Sequence, residues 1–161
     1  MDHFHQFRPT PPSGSLGLDR SPSEVSARRA LARGRVNMLP ATTAAVAANT
    51  TAKGDVLATA RVAGIQAAKQ AASFIPMAHQ VLVGNVFVNF TIADDHIDIE
   101  VSVDTVDRTG VEMEALSAVS VAALTIYDMC KSSDRTMTIS DIALWEKSGG
   151  RSGAWRRSDL G

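Results

Sequence analysis

The chain has 161 residues, 45% of them hydrophobic and 20% charged, enough for one domain with a real core. A formal net charge of −1 excludes the strongly basic surface of a nonspecific nucleic-acid binder. The single cysteine, Cys130, excludes an intrachain disulfide and a multi-cysteine metal site, and suits a reducing compartment. "MDHFHQF" lacks the basic and apolar regions of a secretory signal, and the apolar stretch at residues 119–126 is short of the roughly 20 residues that span a bilayer. A cytoplasmic location with no membrane association is expected.

Twelve arginines stand against four lysines, Lys53, Lys69, Lys131 and Lys147. Arginine keeps its proton near neutral pH, whereas a crowded or buried lysine can release it. Lys69 reads as an ordinary solvated helix residue, so Lys53, Lys131 and Lys147 mark the three segments to inspect for proton transfer.

In chain order, residues 1–20 are expected as a flexible arm rich in Pro, Ser and Gly, with His3 and His5 solvated in it. Ser21, Pro22 and Glu24 carry a helix-start pattern, predicting a helix to about Arg33 that ends at Gly34. An Ala/Thr-rich connection follows. Asp55 then opens a helix in which Val56, Ala60, Ala63, Ala67 and Ala71 keep the 3.6 period, with Gly64 at a tight contact and Pro76 as the stop. The period next changes to two. Val86, Val88, Phe90 and Ile92 form one strand; Ile97, Ile99, Val101 and Val103 alternate with Asp98, Glu100, Ser102 and Asp104 in another. This predicts an antiparallel hairpin with one wet face and His96 exposed at its tip. A long helix is predicted over about 111–131, then a last strand in "TMTISDIALWEK". "SGGRSG" is expected to release the chain into a basic tail at 154–161. The predicted architecture is α+β, a ferredoxin-like sandwich over 21–153 with helices covering an antiparallel sheet, although no first strand is evident.

Several residue groups could carry chemistry. Asp128 and Lys131 share a helix face at i, i+3, either as a surface ion pair or as an acid–base pair with mutually tuned pKa values. Glu112 and Glu114 sit in the first turn of the same helix, where carboxylates suit the positive end of its dipole. Sixteen residues of straight helix separate Glu112 from Asp128 by ~24 Å. One small site within one subunit cannot use both. "KSGGRSG" sets Lys147 and Arg151 among glycines, a phosphate-binding arrangement or a plain linker. Lys53 precedes a helix start and could hold an anion or be solvated. His79, in "IPMAHQV", has no second His or Cys nearby, which argues against a metal; alone it reads as a core histidine.

Together "KGDVLATARVAGIQAAK", "TGVEMEALSAVSVAALTIYDMCK" and "KSGGRSG" resemble the molybdenum cofactor biosynthesis protein C family, the cyclic pyranopterin monophosphate synthases. The resemblance covers about residues 53–153. It implies a ferredoxin-like subunit in a hexamer built as a trimer of dimers, with the active site between subunits. It implies conversion of 3′,8-cyclised dihydro-GTP to cyclic pyranopterin monophosphate, releasing pyrophosphate. No organic cofactor and no protein metal site are implied; a divalent cation could ride on the triphosphate.

By the same resemblance Asp128 is the general acid, with Lys131 and Lys53 tuning it or shuttling protons, and His79 orients substrate or transfers a proton. Met77, Ala78, His79, Glu112, Met113 and Glu114 contact substrate. Lys147, Arg151 and the glycine backbone stabilise developing phosphate charge. Arg28 matches a family arginine expected on the first helix. The family usually has Cys-His-Pro where this chain has Ala78-His79-Gln80, and a lysine where it has Ser23. Those departures leave a non-catalytic homologue that binds nucleotide or a partner protein as the rival reading. An RNA-binding ferredoxin-like module would need sheet aromatics and a basic face, which the Asp-rich hairpin opposes.

Overall fold

The computed structural model describes residues 24–158. The expected arm, the Ser21–Pro22 helix start and Ser23 lie outside the described residues. The elements run β1 (Ser26–Asn37), α1 (Pro40–Ala48), α2 (Val56–Phe74), β2 (Val86–Ile92), β3 (His96–Asp107), α3 (Glu112–Cys130), β4 (Thr138–Ser148) and β5 (Trp155–Arg156). The sheet order is β2-β3-β1-β4-β5, and every neighbouring pair is antiparallel. Setting β5 aside, this is the split βαβ order of a ferredoxin-like α+β fold.

The missing first strand is the segment expected as a helix. Residues 26–37 form the central strand instead. Ala30, Ala32, Gly34 and Val36 face the helices and are buried, while Arg29, Arg33 and Arg35 lie on the opposite face. There they meet β3: Arg33 Nε donates to Glu100 Oε2 at 2.8 Å and Arg35 Nε to Asp98 Oδ1 at 2.8 Å. Cross-strand pairing of this kind outweighs the helix propensity of Ala and Arg. Gly34 ends no helix. A Cβ there would lie 2.6 Å from Val119 Cγ1, so its lack of a side chain lets α3 pack close on the sheet.

The Ala/Thr-rich connection holds a helix, α1, with no side-chain cap of its own. In α2, Asp55 caps as expected, accepting from the Ala58 N–H at 3.1 Å. Gly64 marks a close approach, since a Cβ would lie 3.2 Å from the Ala118 carbonyl oxygen on α3. The two helices run antiparallel across one face of the sheet, α3 over β1, β3 and β4 and α2 over β2. Among the described helices α3 alone is long and apolar enough to cross a membrane. Here it is a core element, with Ala115, Ala118, Val119, Ala122, Ala123 and Ile126 fully buried.

Two smaller expectations also change. His96 opens β3 with only 21% of its side chain exposed, and its ring meets Asp95 at 2.7 Å. The chain is not released after the glycines. β5 returns to the edge of β4, and the Arg157 N–H donates to the Trp145 carbonyl at 2.8 Å.

Candidate active site

The residues expected at the site fall into two groups at opposite ends of α3. At its C-terminal end Asp128 is held between two ammonium groups. Lys131 Nζ lies 2.8 Å from Asp128 Oδ1, one turn along the same helix. Lys53, in the turn before α2, donates from Nζ to the Asp128 carbonyl at 3.2 Å and lies 3.4 Å from Oδ2. The antiparallel packing of α2 on α3 is what brings the start of one helix to the end of the other. The hydrogen bond from Lys131, its charge and that of Lys53 hold the Asp128 carboxyl below the usual range. Asp128 in turn raises the Lys131 ammonium. All three side chains are substantially exposed.

The N-terminal end is built differently. Lys147, on β4, pairs with Glu112 Oε1 at 3.3 Å, and both side chains are about 30% exposed or less. Glu114 is 4% exposed, and burial pushes its carboxyl up, assisted by the charge of Glu112. Met113 is 40% exposed beside them. Arg28 stands on β1 rather than on a helix, its Nε donating to the Asp107 carbonyl at 3.1 Å. It shares a cleft with Gly150 and Arg151.

His79 is exposed in the segment between α2 and β2, so it is not a core histidine. Met77 before it is 90% exposed, and Ala78 is half-buried. The segment belongs to the N-terminal end of α3 through bonds to β3. The Leu82 N–H donates to Asp107 Oδ2 at 3.2 Å, the Asn85 N–H to Asp104 Oδ1 at 2.9 Å, and Thr105 Oγ1 to the Leu82 carbonyl. Asp107 thus joins the histidine segment to the strand end that also receives Arg28.

These anchors escaped the sequence reading, as did Asp134. Its buried carboxylate, 2% exposed, accepts from the Leu39 N–H at 2.8 Å and Thr42 Oγ1 at 2.9 Å through one oxygen. The other oxygen accepts from the Thr136 N–H at 2.9 Å and Thr136 Oγ1 at 2.8 Å. Burial opposes ionisation, but these donors outweigh it and hold the Asp134 carboxyl below the usual range. It caps α1 from a distant segment. The only sequence signal was an Asp preceded by two serines, with Thr136 two positions on, just after the "YDMCK" helix.

A concavity of 580 Å³ lies elsewhere, on the open face of the sheet. It contains none of the expected site residues, and four of its five charged lining residues are already engaged in the Arg33–Glu100 and Arg35–Asp98 pairs. The expected site residues lie instead in the two lysine–carboxylate groups. Among the described residues no His/Cys/Asp/Glu group could hold a metal ion.

A model of the MoaC family matches residues 18–150, which span both groups. The chain belongs to the MoaC family. It is 53% identical over 144 residues to the cyclic pyranopterin monophosphate synthase of Chloroflexus aggregans, covering 88% of this chain and 87% of that one. It is 57% identical over 134 residues to the protein of the same name from Thermomicrobium roseum, covering 82% and 81%. Cyclic pyranopterin monophosphate synthase 3 of Mycobacterium tuberculosis is 54% identical over 143 residues, covering 88% and 81%. MoaC membership accounts for the order of the long motifs. The geometry adds that the folded chain gathers their charged residues into two separate groups.

Proposed function

We propose that the chain is a cyclic pyranopterin monophosphate synthase of molybdenum cofactor biosynthesis, converting 3′,8-cyclised dihydro-GTP to cyclic pyranopterin monophosphate with release of pyrophosphate. The observation that carries this reading is the Lys53–Asp128–Lys131 group, assembled from two helices in a chain more than half identical to named synthases. Opening a purine ring and rebuilding it as a pterin needs several proton transfers by positioned groups. Asp128 is ionised between two ammoniums, so it begins the reaction as a proton acceptor. The first proton donor is the ammonium of Lys131 or Lys53, both in contact with Asp128, while burial raises the Glu114 carboxyl at the other end. That shifts the acid role away from Asp128, where the family resemblance alone would place it. Lys147 and Arg151 stabilise the charge that develops as pyrophosphate leaves.

The half-sites at residues 112 and 128 stand ~24 Å apart along α3. A substrate of nucleotide size cannot reach both within one copy. The proposed active site therefore pairs the C-terminal end of one α3 with the N-terminal end of another, in a trimer of dimers. The exposed Met77, Leu82 and Leu124 favour such association. The proposed compartment is the cytoplasm.

The direct test is incubation with the cyclised substrate. Pyrophosphate and pyranopterin should appear together. Binding without pyrophosphate release would instead favour a non-catalytic nucleotide-binding homologue.

A further inference from the structure

We propose that Ser26 is a ligand for the pyrophosphate end of the substrate, completing an anion cradle with Arg28 and the Gly149–Gly150–Arg151 turn. The inference rests on the synthase reading above. Ser26 opens β1 and lines a cleft of 420 Å³ together with Glu24, Arg28, Gly150 and Arg151. Its Oγ is buried and has no hydrogen-bond partner among the described residues, the one side-chain polar atom there in that state. Buried hydroxyls are nearly always bonded, so an orphan on the wall of a charged cleft calls for a partner that arrives with the ligand.

The neighbouring groups define that ligand as an anion. Arg28 is fixed by three carbonyl oxygens: those of Asp107 at 3.1 Å, Arg108 at 3.0 Å and Glu24 at 3.5 Å. Carbonyls orient a guanidinium without neutralising it, and among the described residues the nearest carboxylate influence on Arg28 is that of Asp107, which forms no direct ion pair with it. Its Nη1 stands over Gly150, where a Cβ would come within 2.1 Å. Gly149 packs against β1 in the same way, since a Cβ would lie 2.1 Å from the Ala27 carbonyl oxygen. Both glycines have positive φ, 87° and 77°. The turn can press onto the strand only without side chains, and pressing there sets Arg151 and Arg28 on one cleft. The Arg28 guanidinium and a hydroxyl donor match the oxygens of a pyrophosphate group, and Arg forks bind phosphate oxygens in pairs. Ser26 lies two residues before Arg28 on the same strand face, so one strand supplies both donors.

The experiment compares the full-length protein with its Ser26→Ala and Ser26→Thr variants. It measures inorganic pyrophosphate affinity by calorimetry, KM and kcat for the cyclised substrate, and melting temperature. Ser26→Ala should weaken pyrophosphate binding about tenfold and raise KM by a similar factor, with kcat far less changed. Its melting temperature should not fall, because an unpartnered hydroxyl contributes nothing to the free protein. Ser26→Thr keeps the hydroxyl and should restore both affinities. Unchanged pyrophosphate affinity in Ser26→Ala would overturn the proposal. So would a lower melting temperature, which would mean that the hydroxyl is already bonded within the chain. Failure of the unaltered protein to release pyrophosphate from the cyclised substrate would sink the synthase reading instead, a separate outcome.

Discussion

The two ends of α3 carry the same kinds of side chain and build them into opposite environments. At the C-terminal end Asp128, Lys53 and Lys131 form an exposed triad on a helix surface. At the N-terminal end Glu112 and Lys147 pair at the sheet, Glu114 is buried beneath them, and Arg28 is fixed by backbone carbonyls. One end offers charges that a ligand can displace or recruit with little reorganisation. The other offers a preset cleft whose groups cannot move far. A site that needs both mobile proton carriers and a rigid phosphate grip gains by drawing one from each end.

The largest expected effect tests that division. Asp128→Ala, Lys131→Ala and Lys147→Ala should each lower turnover by about 10²-fold or more, with the folded state retained because the side chains sit at or near the surface. Mixing is the sharper measurement. A Lys131→Ala chain and a Lys147→Ala chain, unfolded and refolded together, should recover activity that neither has alone, since some shared sites then receive one intact end from each. No recovery in a mixture that does co-assemble would break the two-copy site.

Next in size is the anchor of the C-terminal end. Asp134 ties α1 to the segment that follows Lys131, and its carboxylate satisfies four donors. Asp134→Ala would leave buried N–H and O–H groups unpaired and should cost about 3 kcal/mol of stability. Urea unfolding of the variant beside the parent measures it. Gly149→Ala strikes the other end. A Cβ at φ 87° against the Ala27 carbonyl should cost about 1–3 kcal/mol and weaken pyrophosphate binding, with the Lys53–Asp128–Lys131 group untouched. Equal damage to both ends from either change would show that the ends are not independent.

The hairpin and both long helices were legible because their apolar residues are large or strictly periodic: Ile97, Ile99, Val101 and Val103 leave no other reading. β1 was hidden. Its inward residues are Ala30, Ala32 and Gly34, small because α3 packs close above them, and its outward residues are arginines whose partners Asp98 and Glu100 lie more than sixty positions away. Read locally, such a segment follows helix propensity. α1 was hidden for a related reason, its cap being Asp134 from a distant loop. At the site, the lysine and carboxylate positions came from motif resemblance, and their division into two ends came from helix geometry. What no local pattern carried was the orphan hydroxyl of Ser26 and the bonds from Asp104, Asp107 and Thr105 that hold the histidine segment.

The smallest expected effect separates the ends by pH. Burial raises the Glu114 carboxyl, so its protonated form is the one the fold favours. Below the ordinary glutamate value of about 4.3 the group is protonated folded or unfolded and costs nothing. As pH rises through the raised folded value, the buried carboxyl must either ionise in place or hold a proton that the unfolded chain would release, and stability falls. Glu114→Gln stays neutral throughout. It should therefore melt higher than the parent near neutral pH, with the gap closing as the pH drops below about 4, even though its turnover falls. Asp128 has the opposite sign. Its depressed carboxyl contributes above the ordinary aspartate value and loses that contribution as acid protonates it, so Asp128→Asn should narrow the gap to the parent from below in acid. Melting curves of the two variants and the parent from pH 3.5 to 7.5 would show the two ends answering protons in opposite directions. A Glu114→Gln gap independent of pH would mean that folding leaves the Glu114 carboxyl unshifted, so that it is ionised near neutral pH and cannot serve as the buried acid.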